Sequence, residues 1–135
     1  MIRLANLTSA ALLDHVQALL VRTARGRRDL PARAFLADEE GRVTLVELPA
    51  LAGAADHRAA GAILGALARD RAASHAVVQL PHRAGPAEAV ALLAIAADGS
   101  DLGQRLLTVE RRRDGRVARL LRPAGRATGA VPSAA

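Results

Sequence analysis

The sequence predicts an α+β fold in which two helices pack on one face of an antiparallel sheet of about five to six strands, in the order α-β-β-α-β-β-β(-β). Three observations lead to this prediction: a helical stripe near the N-terminus, alternating apolar segments in the middle, and a hairpin pattern near the C-terminus. With 135 residues, 51% of them hydrophobic, the chain can bury one core. We therefore expect one domain over residues 1–122 and a flexible tail, rich in small residues, over 123–135.

The first helix is predicted by spacing and by its two ends. Thr8 or Ser9 can cap it, and Gly26 can end it. Between them apolar residues recur at helical spacing: Leu12, Leu13, Val16, Leu19 and Leu20. These 28 N-terminal residues are also amphipathic, bear arginine and contain few acids, so a mitochondrial transit peptide is the alternative interpretation.

The second helix is expected to start at Asp56 and to end near Arg71. One stripe of this helix is apolar, and the neighbouring stripe carries Gly61 and Gly65. Small residues permit a close approach of another backbone. The stripe therefore indicates either tight packing on the protein's own sheet or an interaction face at Gly61 and Gly65.

Three strands are predicted around these helices by alternation and turn residues. Segments 33–37 and 43–48 flank the acidic sequence 38–41, which ends in glycine and predicts a hairpin. Residues 74–80 alternate as a half-buried strand does, and Pro81 is expected to end that strand.

The segment 87–98 fits either a strand or a helix. Gly85-Pro86 could start a helix and Gly99 could stop one, but the continuous apolar run over 89–97 has no polar face. A central strand that is covered on both faces needs no polar face. We therefore predict a strand.

The C-terminal hairpin is the clearest local pattern in the chain. Segments 106–113 and 116–122 flank Asp114-Gly115, a pair that favours a two-residue turn. This turn would pair Arg113 with Arg116, Glu110 with Arg119 and Val109 with Leu120. It would also place Leu107, Val109, Ala118 and Leu120 on one face, towards the core.

The charge of the chain is concentrated near this hairpin. All 19 basic residues are arginine, and the formal net charge is +6. Alanine is abundant, lysine is absent, and tyrosine, phenylalanine, asparagine and isoleucine, whose codons are A/T-rich, are absent or nearly absent. This indicates a G+C-rich, bacterial genome and makes part of the arginine content a codon effect. Residues 1–110 are electrically neutral, so the surplus comes from the C-terminal segment; a second group of arginines spans 22–28.

The arginines form the one constellation that suggests a ligand. Arg111, Arg112, Arg113 and Arg116 surround the hairpin turn and could contact phosphates, with Arg22 to Arg28 nearby. Without tryptophan or tyrosine, base stacking would be poor and binding weakly sequence-specific. A solvated, arginine-rich turn without a ligand is the alternative.

No other motif predicts chemistry. The absence of cysteine excludes disulfides, thiolate nucleophiles and Cys-based zinc sites. His15, His57, His75 and His82 lack metal-ligand spacing, and no phosphate-binding glycine loop is present. We therefore predict no catalytic residue, no cofactor and no metal, and an enzyme is the least favoured class.

These observations favour a cytoplasmic bacterial protein that is neither secreted nor inserted in a membrane, since no apolar run approaches the length of a membrane span. The first expectation is a protein-interaction or self-association module, acting through a sheet edge or the Gly61/Gly65 face. The second is a nucleic-acid accessory domain that uses the C-terminal hairpin.

Overall fold

The computed structural model describes residues 2–3, 8–48, 57–95 and 101–122. The helices are α1 (Ser9–Ala24) and α2 (His57–Asp70). The strands are β1 (Ile2–Arg3), β2 (Arg33–Ala37), β3 (Arg42–Glu47), β4 (His75–Ala84), β5 (Ala87–Ile95), β6 (Asp101–Arg111) and β7 (Val117–Leu121). The predicted α+β class and element order are confirmed, with the two-residue β1 in addition. The predicted cap at Asp56 and the tail over 123–135 lie outside the described residues.

Helix α1 begins and ends where the sequence predicts. The Thr8 side-chain oxygen accepts a hydrogen bond from the backbone N–H of Ala11 at 2.9 Å, and Gly26 takes the left-handed conformation with φ +83°. Its buried residues are Leu12, Leu13, Val16, Leu20 and Ala24. Because they form part of the core, α1 belongs to the folded domain, in contrast to the transit-peptide alternative.

The strands form one antiparallel sheet in the order β1-β3-β2-β4-β5-β6-β7. Strand β7 is one edge. Strand β3 is the other edge, apart from the two residues of β1 that pair with Arg42 and Val43. Strand β5, near the centre, is buried from Ala89 to Ile95, which agrees with the choice of a strand for this segment.

The two helices cover opposite faces of the sheet, so the prediction that both pack on one face is wrong. The α1 face contains Phe35, Ala37, Val77, Val90, Leu92, Ala94, Leu107 and Val109. The α2 face contains Ala34, Leu36, Ala76, Val78, Leu80, Leu93 and Ile95. Paired residues share a face and successive residues alternate, which places these two sets on opposite sides. The physical reason is β5, since a strand that is apolar on both faces needs a helix on each.

Strand β4 runs through Pro81 instead of ending before it. Arg33, the first residue of β2, pairs with Gln79, so β2 has already ended where position 81 would need a partner on that side. The alternation of backbone hydrogen bonds turns the nitrogen of Pro81 towards this vacant side. A residue without a backbone N–H is tolerated there.

The loop of the C-terminal hairpin is longer than the predicted two-residue turn. The backbone N–H of Gly115 donates to the Arg112 oxygen at 3.0 Å, and the Arg112 N–H donates to the Arg116 oxygen at 2.8 Å. Gly115 has φ +85°, which closes a three-residue loop. Arg113 is therefore in the loop and does not pair with Arg116.

A bulge follows this loop and changes which residue enters the core. The pairs Val109–Leu120 and Glu110–Arg119 are confirmed. The register then shifts, and Arg111 pairs with Val117. As a result Val117 is fully buried in the α1 face, whereas Ala118, predicted for the core, is only half-buried.

Candidate functional site

Three connections meet at one end of the sheet: the loop after α1, the β4–β5 turn and the β6–β7 loop. The backbone N–H of Gly26 donates to the Val117 oxygen at 2.8 Å, and the Val117 N–H donates to the Arg27 oxygen at 2.8 Å. The two arginine-rich segments are thus joined side by side. We call this region the basic corner; its arginines are Arg25, Arg27, Arg28, Arg111, Arg112, Arg113 and Arg116, and its carboxylates are Asp29, Glu88 and Asp114.

Arg111 links several chain segments of the basic corner. Its guanidinium donates to both carboxylate oxygens of Glu88, at 2.6 and 2.8 Å, and to the backbone oxygen of Arg28 at 2.9 Å. It also donates to the backbone oxygen of Gly115. The hydrogen bonds from Arg111 lower the pKa of Glu88 and keep it ionised. Arg111 therefore joins three chain segments, which gives it a scaffold role; its predicted ligand contact stays a prediction.

Arg116 and Arg28 also bind backbone atoms of the basic corner. The Arg116 guanidinium donates to the Gly26 oxygen at 2.9 Å, and the Arg28 guanidinium donates to the Asp114 oxygen at 3.1 Å. Each guanidinium satisfies a loop carbonyl at the end of α1 or at the hairpin tip. The loops are fixed in position by the same residue type that gives the corner its charge.

Asp114 is the carboxylate at the tip of the basic corner. Its Oδ1 atom accepts a hydrogen bond from the Arg116 backbone N–H at 2.9 Å. The guanidinium nitrogens of Arg112 and Arg116 lie 3.8 and 3.9 Å from its oxygens. The backbone hydrogen bond, and then the neighbouring guanidinium groups, lower the pKa of Asp114. This carboxylate occupies the position in which arginines from two segments converge.

Six of the seven arginines of the basic corner are exposed, all but Arg116. The guanidinium groups of four of these make no hydrogen bond to the described residues: Arg25, Arg27, Arg112 and Arg113. In the described part of the chain, no carboxylate lies within 4 Å of the guanidinium of Arg25, Arg27 or Arg113, and Arg112 reaches Asp114 only at 3.8 Å. Of the predicted contact residues, then, Arg112 and Arg113 are available to a ligand, and the loop after α1 adds Arg25 and Arg27.

The predicted interaction face on α2 consists of Gly61 and Gly65. Gly65 is buried, on the same stripe of the helix as Leu64 and Ala68, which pack on the sheet. Gly61 lies one turn earlier in α2. The burial of Gly65 fits tight packing on the protein's own sheet, and the interaction face at Gly61 and Gly65 stays a prediction.

A second charged region lies at the opposite end of the sheet. A shallow depression of about 200 Å³ is lined by Leu36, Asp38, Arg42, Thr44, Arg71 and Ala73. Arg42 is occupied there: its guanidinium binds the Asp38 carboxylate at 2.8 Å and also contacts Glu40. The described residues contain no group of three potential metal ligands, and neither described helix is long and apolar enough to cross a membrane.

Comparison with known proteins adds no relative to this geometry. No protein-family model matches the chain, and no match was found to a curated protein or to a solved structure.

The sequence indicated part of this site. The hairpin arginines and the group at 22–28 could be recognised from charge alone, and their proximity was expected. The ion pair of Arg111 with Glu88 could not be predicted, because Glu88 lies at the start of the predicted apolar strand 87–98. A diagonal pairing between neighbouring strands leaves no local pattern in the sequence.

Proposed function

We propose that this protein binds the phosphate backbone of nucleic acid through the basic corner. The observation that supports this most directly is that backbone hydrogen bonds join the segment 25–28 to the segment 111–117. These bonds bring together exposed arginines that are distant in the sequence. Their charge is opposed by few carboxylates, and their loops are held in place before a ligand arrives.

Arginine suits phosphate because its planar guanidinium donates two parallel hydrogen bonds and stays charged at any physiological pH. Since Arg28, Arg111 and Arg116 order the loops, little loop entropy is lost on binding. Part of the charge has a second role, because basic residues near the end of α1 interact favourably with its C-terminal dipole.

The ligand contacts are expected to be with phosphates and not with bases. The chain has no tryptophan or tyrosine, and Phe35, its one phenylalanine, is 3% exposed in the core. Aromatic stacking on unpaired bases is therefore absent. The proposed binding is independent of sequence, depends strongly on salt, and fits the cytoplasmic, bacterial setting that the sequence predicts.

A binding measurement on two matched variants tests this proposal. Fluorescence anisotropy of a labelled DNA duplex is measured with the wild type, with Arg112→Gln/Arg113→Gln, and with Arg71→Gln/Arg122→Gln. Both double variants remove two exposed arginines, but Arg71 and Arg122 lie at the opposite end of the sheet. Any effect of net charge alone is therefore the same in both.

We expect the Arg112/Arg113 variant to bind roughly tenfold more weakly than the wild type at the same low salt concentration, and the control to bind nearly as well as the wild type. Equal losses in the two variants would assign the binding to net charge and not to the basic corner. A wild type that does not bind the duplex at low salt would contradict the proposal altogether.

A further inference from the structure

The outer side of β3 is an unpaired strand edge in the described part of the fold. Strand β1 pairs only with Arg42 and Val43, and no described strand pairs with β3 beyond them on that side. Thr44, Leu45 and Glu47 are exposed, and 46% of Leu45 is accessible to solvent. An apolar edge strand of this kind is a template for pairing with another chain.

The direction of the free backbone groups follows from the hydrogen bonds to β2. The Leu48 N–H donates to the Ala32 oxygen at 2.9 Å, and the Arg42 oxygen accepts from Asp38 at 3.1 Å. Because alternate residues of a strand bond to opposite sides, Thr44 and Val46 also bond towards β2. Leu45 and Glu47 therefore direct their N–H and C=O groups outward.

The opposite edge of the sheet is protected. At β7 the loop after α1 occupies the N–H and C=O of Val117, and a bulge distorts the strand. The exposed Arg119 adds a charge on that strand. Over residues 44–48, the β3 edge has no proline and no bulge, and Glu47 is its one charged residue.

We infer that β3 pairs antiparallel with β3 of a second copy of this chain, centred on Val46. In this register Leu45 of each copy lies opposite Glu47 of the other, and the outward groups of these residues make four backbone hydrogen bonds. The paired stretch is residues 44–48, bounded by β1 at Val43 and by Pro49, which has no N–H to donate.

Length and charge favour a second copy as the occupant. In a symmetric pair, both copies contribute the same free stretch, residues 44–48, so every outward backbone group in it meets a partner. A register centred on Leu45 would instead need the outward N–H and C=O groups of Val43, which pair with β1. The one charge within it, Glu47, lies 3.7 Å from Arg33 of its own chain, and no like charge is placed directly opposite it.

The dimer is expected to be weak and to strengthen with salt. A paired stretch of five residues is roughly 17 Å long and buries less than the ~800 Å² per partner of a standard interface. Each copy carries a formal charge of +6, so the copies repel at low ionic strength. Nucleic-acid binding weakens with salt, so the two activities respond in opposite directions.

Sedimentation velocity with interference detection measures this association from about 10 µM to about 1 mM protein. The full chain is compared with Leu45→Lys, which places a charge on the free edge, and with Val21→Lys. Val21 is 44% exposed on α1, so this control adds the same charge to an equally exposed apolar position elsewhere. Circular dichroism verifies that both variants are folded.

We expect a shift towards the dimer mass for the wild type and Val21→Lys, stronger at higher salt, and at least tenfold weaker association for Leu45→Lys. Hydrogen exchange provides a second readout, since the amides of Leu45 and Glu47 become protected as the concentration rises. A wild type that is monomeric at about 1 mM, or a Leu45→Lys variant that associates as the wild type does, would overturn the inference. Neither result bears on nucleic-acid binding, which uses the other edge.

Discussion

The two outer hairpins of the sheet share one construction and carry opposite charge. The β2–β3 turn contains Asp38 and Gly41, and the β6–β7 loop contains Asp114 and Gly115. Both glycines are left-handed, with φ +81° and +85°. In both turns the aspartate side chain accepts a backbone N–H two residues ahead, at 2.9 Å. An aspartate side chain that accepts a backbone N–H, together with a left-handed glycine, therefore fixes the backbone in both turns, whatever charge surrounds it.

The two turns differ in the net charge that remains after their ion pairs are counted. In the β2–β3 turn a single arginine, Arg42, binds two carboxylates. In the β6–β7 loop a single carboxylate, that of Asp114, lies beside the guanidinium groups of Arg112 and Arg116, and Arg28 from the loop after α1 binds the backbone oxygen of the same residue. The first turn has a small acidic surplus, and the second has a larger basic one that the loop after α1 extends. Total charge alone did not distinguish a solvated turn from a candidate site, but the convergence of distant segments does.

The edges beside these hairpins differ in the same way. The basic hairpin has its edge closed by the loop after α1, and that closure forms the basic corner. In the acidic hairpin, no described residue pairs with the outer side of β3 beyond Val43. Each proposed activity is thus assigned to its own edge, so one can be changed without the other.

The largest expected effect comes from removing the guanidinium that holds the basic corner. Arg111→Met keeps the length of the side chain but removes its hydrogen bonds to Glu88 and to two loop carbonyls, so we expect a loss of about 2 kcal/mol in the free energy of unfolding. Arg119→Met is the matched control. The Arg119 side chain is 66% exposed and makes a surface pair with Glu110 at 2.7 Å, so its loss should cost less than about 0.5 kcal/mol. Urea unfolding followed by circular dichroism measures both, and equal costs would contradict the scaffold role of Arg111.

A smaller effect, a gain of function, is expected when the carboxylate of the basic corner is neutralised. Asp114→Asn retains an oxygen that can accept the Arg116 N–H but removes the charge with which a phosphate competes. We expect about threefold tighter binding to the DNA duplex. Asp38→Asn makes the equivalent change in the acidic turn and should leave affinity unchanged. Tighter binding by both variants would mean that net charge alone is being measured.

The smallest expected effect is on acid stability. The pKa values of Asp38, Glu88 and Asp114 are lowered in the folded chain, chiefly by hydrogen bonds that favour the ionised form. Their stabilisation is complete above the ordinary values of 3.8 for Asp and 4.5 for Glu, and is lost as the pH falls through the lower folded values. Glu88→Gln should therefore be less stable than the wild type at neutral pH and lose less stability on acidification. Thermal unfolding followed by circular dichroism measures this. If the unfolding temperatures of the wild type and Glu88→Gln fall equally as the pH is lowered, Glu88 contributes nothing to the pH dependence.

The sequence predicted most of the elements because their signals are local. The cap at Thr8, the bounds of β2 and the stop at Gly26 each depend on a few neighbouring residues. The opposite placement of the helices was also implicit in the sequence, since β5 is apolar on both faces. The helix stripes alone do not reveal it, because each stripe is also compatible with a single shared core.

The remaining differences arise from long-range pairing. The bulge that buries Val117 depends on how the three-residue loop closes, and Pro81 is tolerated only because β2 ends beside it. The role of Arg111 depends on Glu88 in the neighbouring strand. In the site, the residue type was predictable, but which arginines stay free was not, because that depends on which carbonyls and carboxylates the fold brings close.

The salt dependence of duplex binding by the full chain tests the central claim most directly. Each neutralised phosphate contributes about −0.9 to the slope of log K against log salt, so the four arginines of the basic corner whose side chains make no hydrogen bond to the described residues predict a slope of roughly −3 to −4. Arg112→Gln/Arg113→Gln should reduce the magnitude of that slope by about 2, while Arg71→Gln/Arg122→Gln should leave it unchanged. A slope near zero, or the same slope in both double variants, would contradict the assignment of nucleic-acid binding to the basic corner.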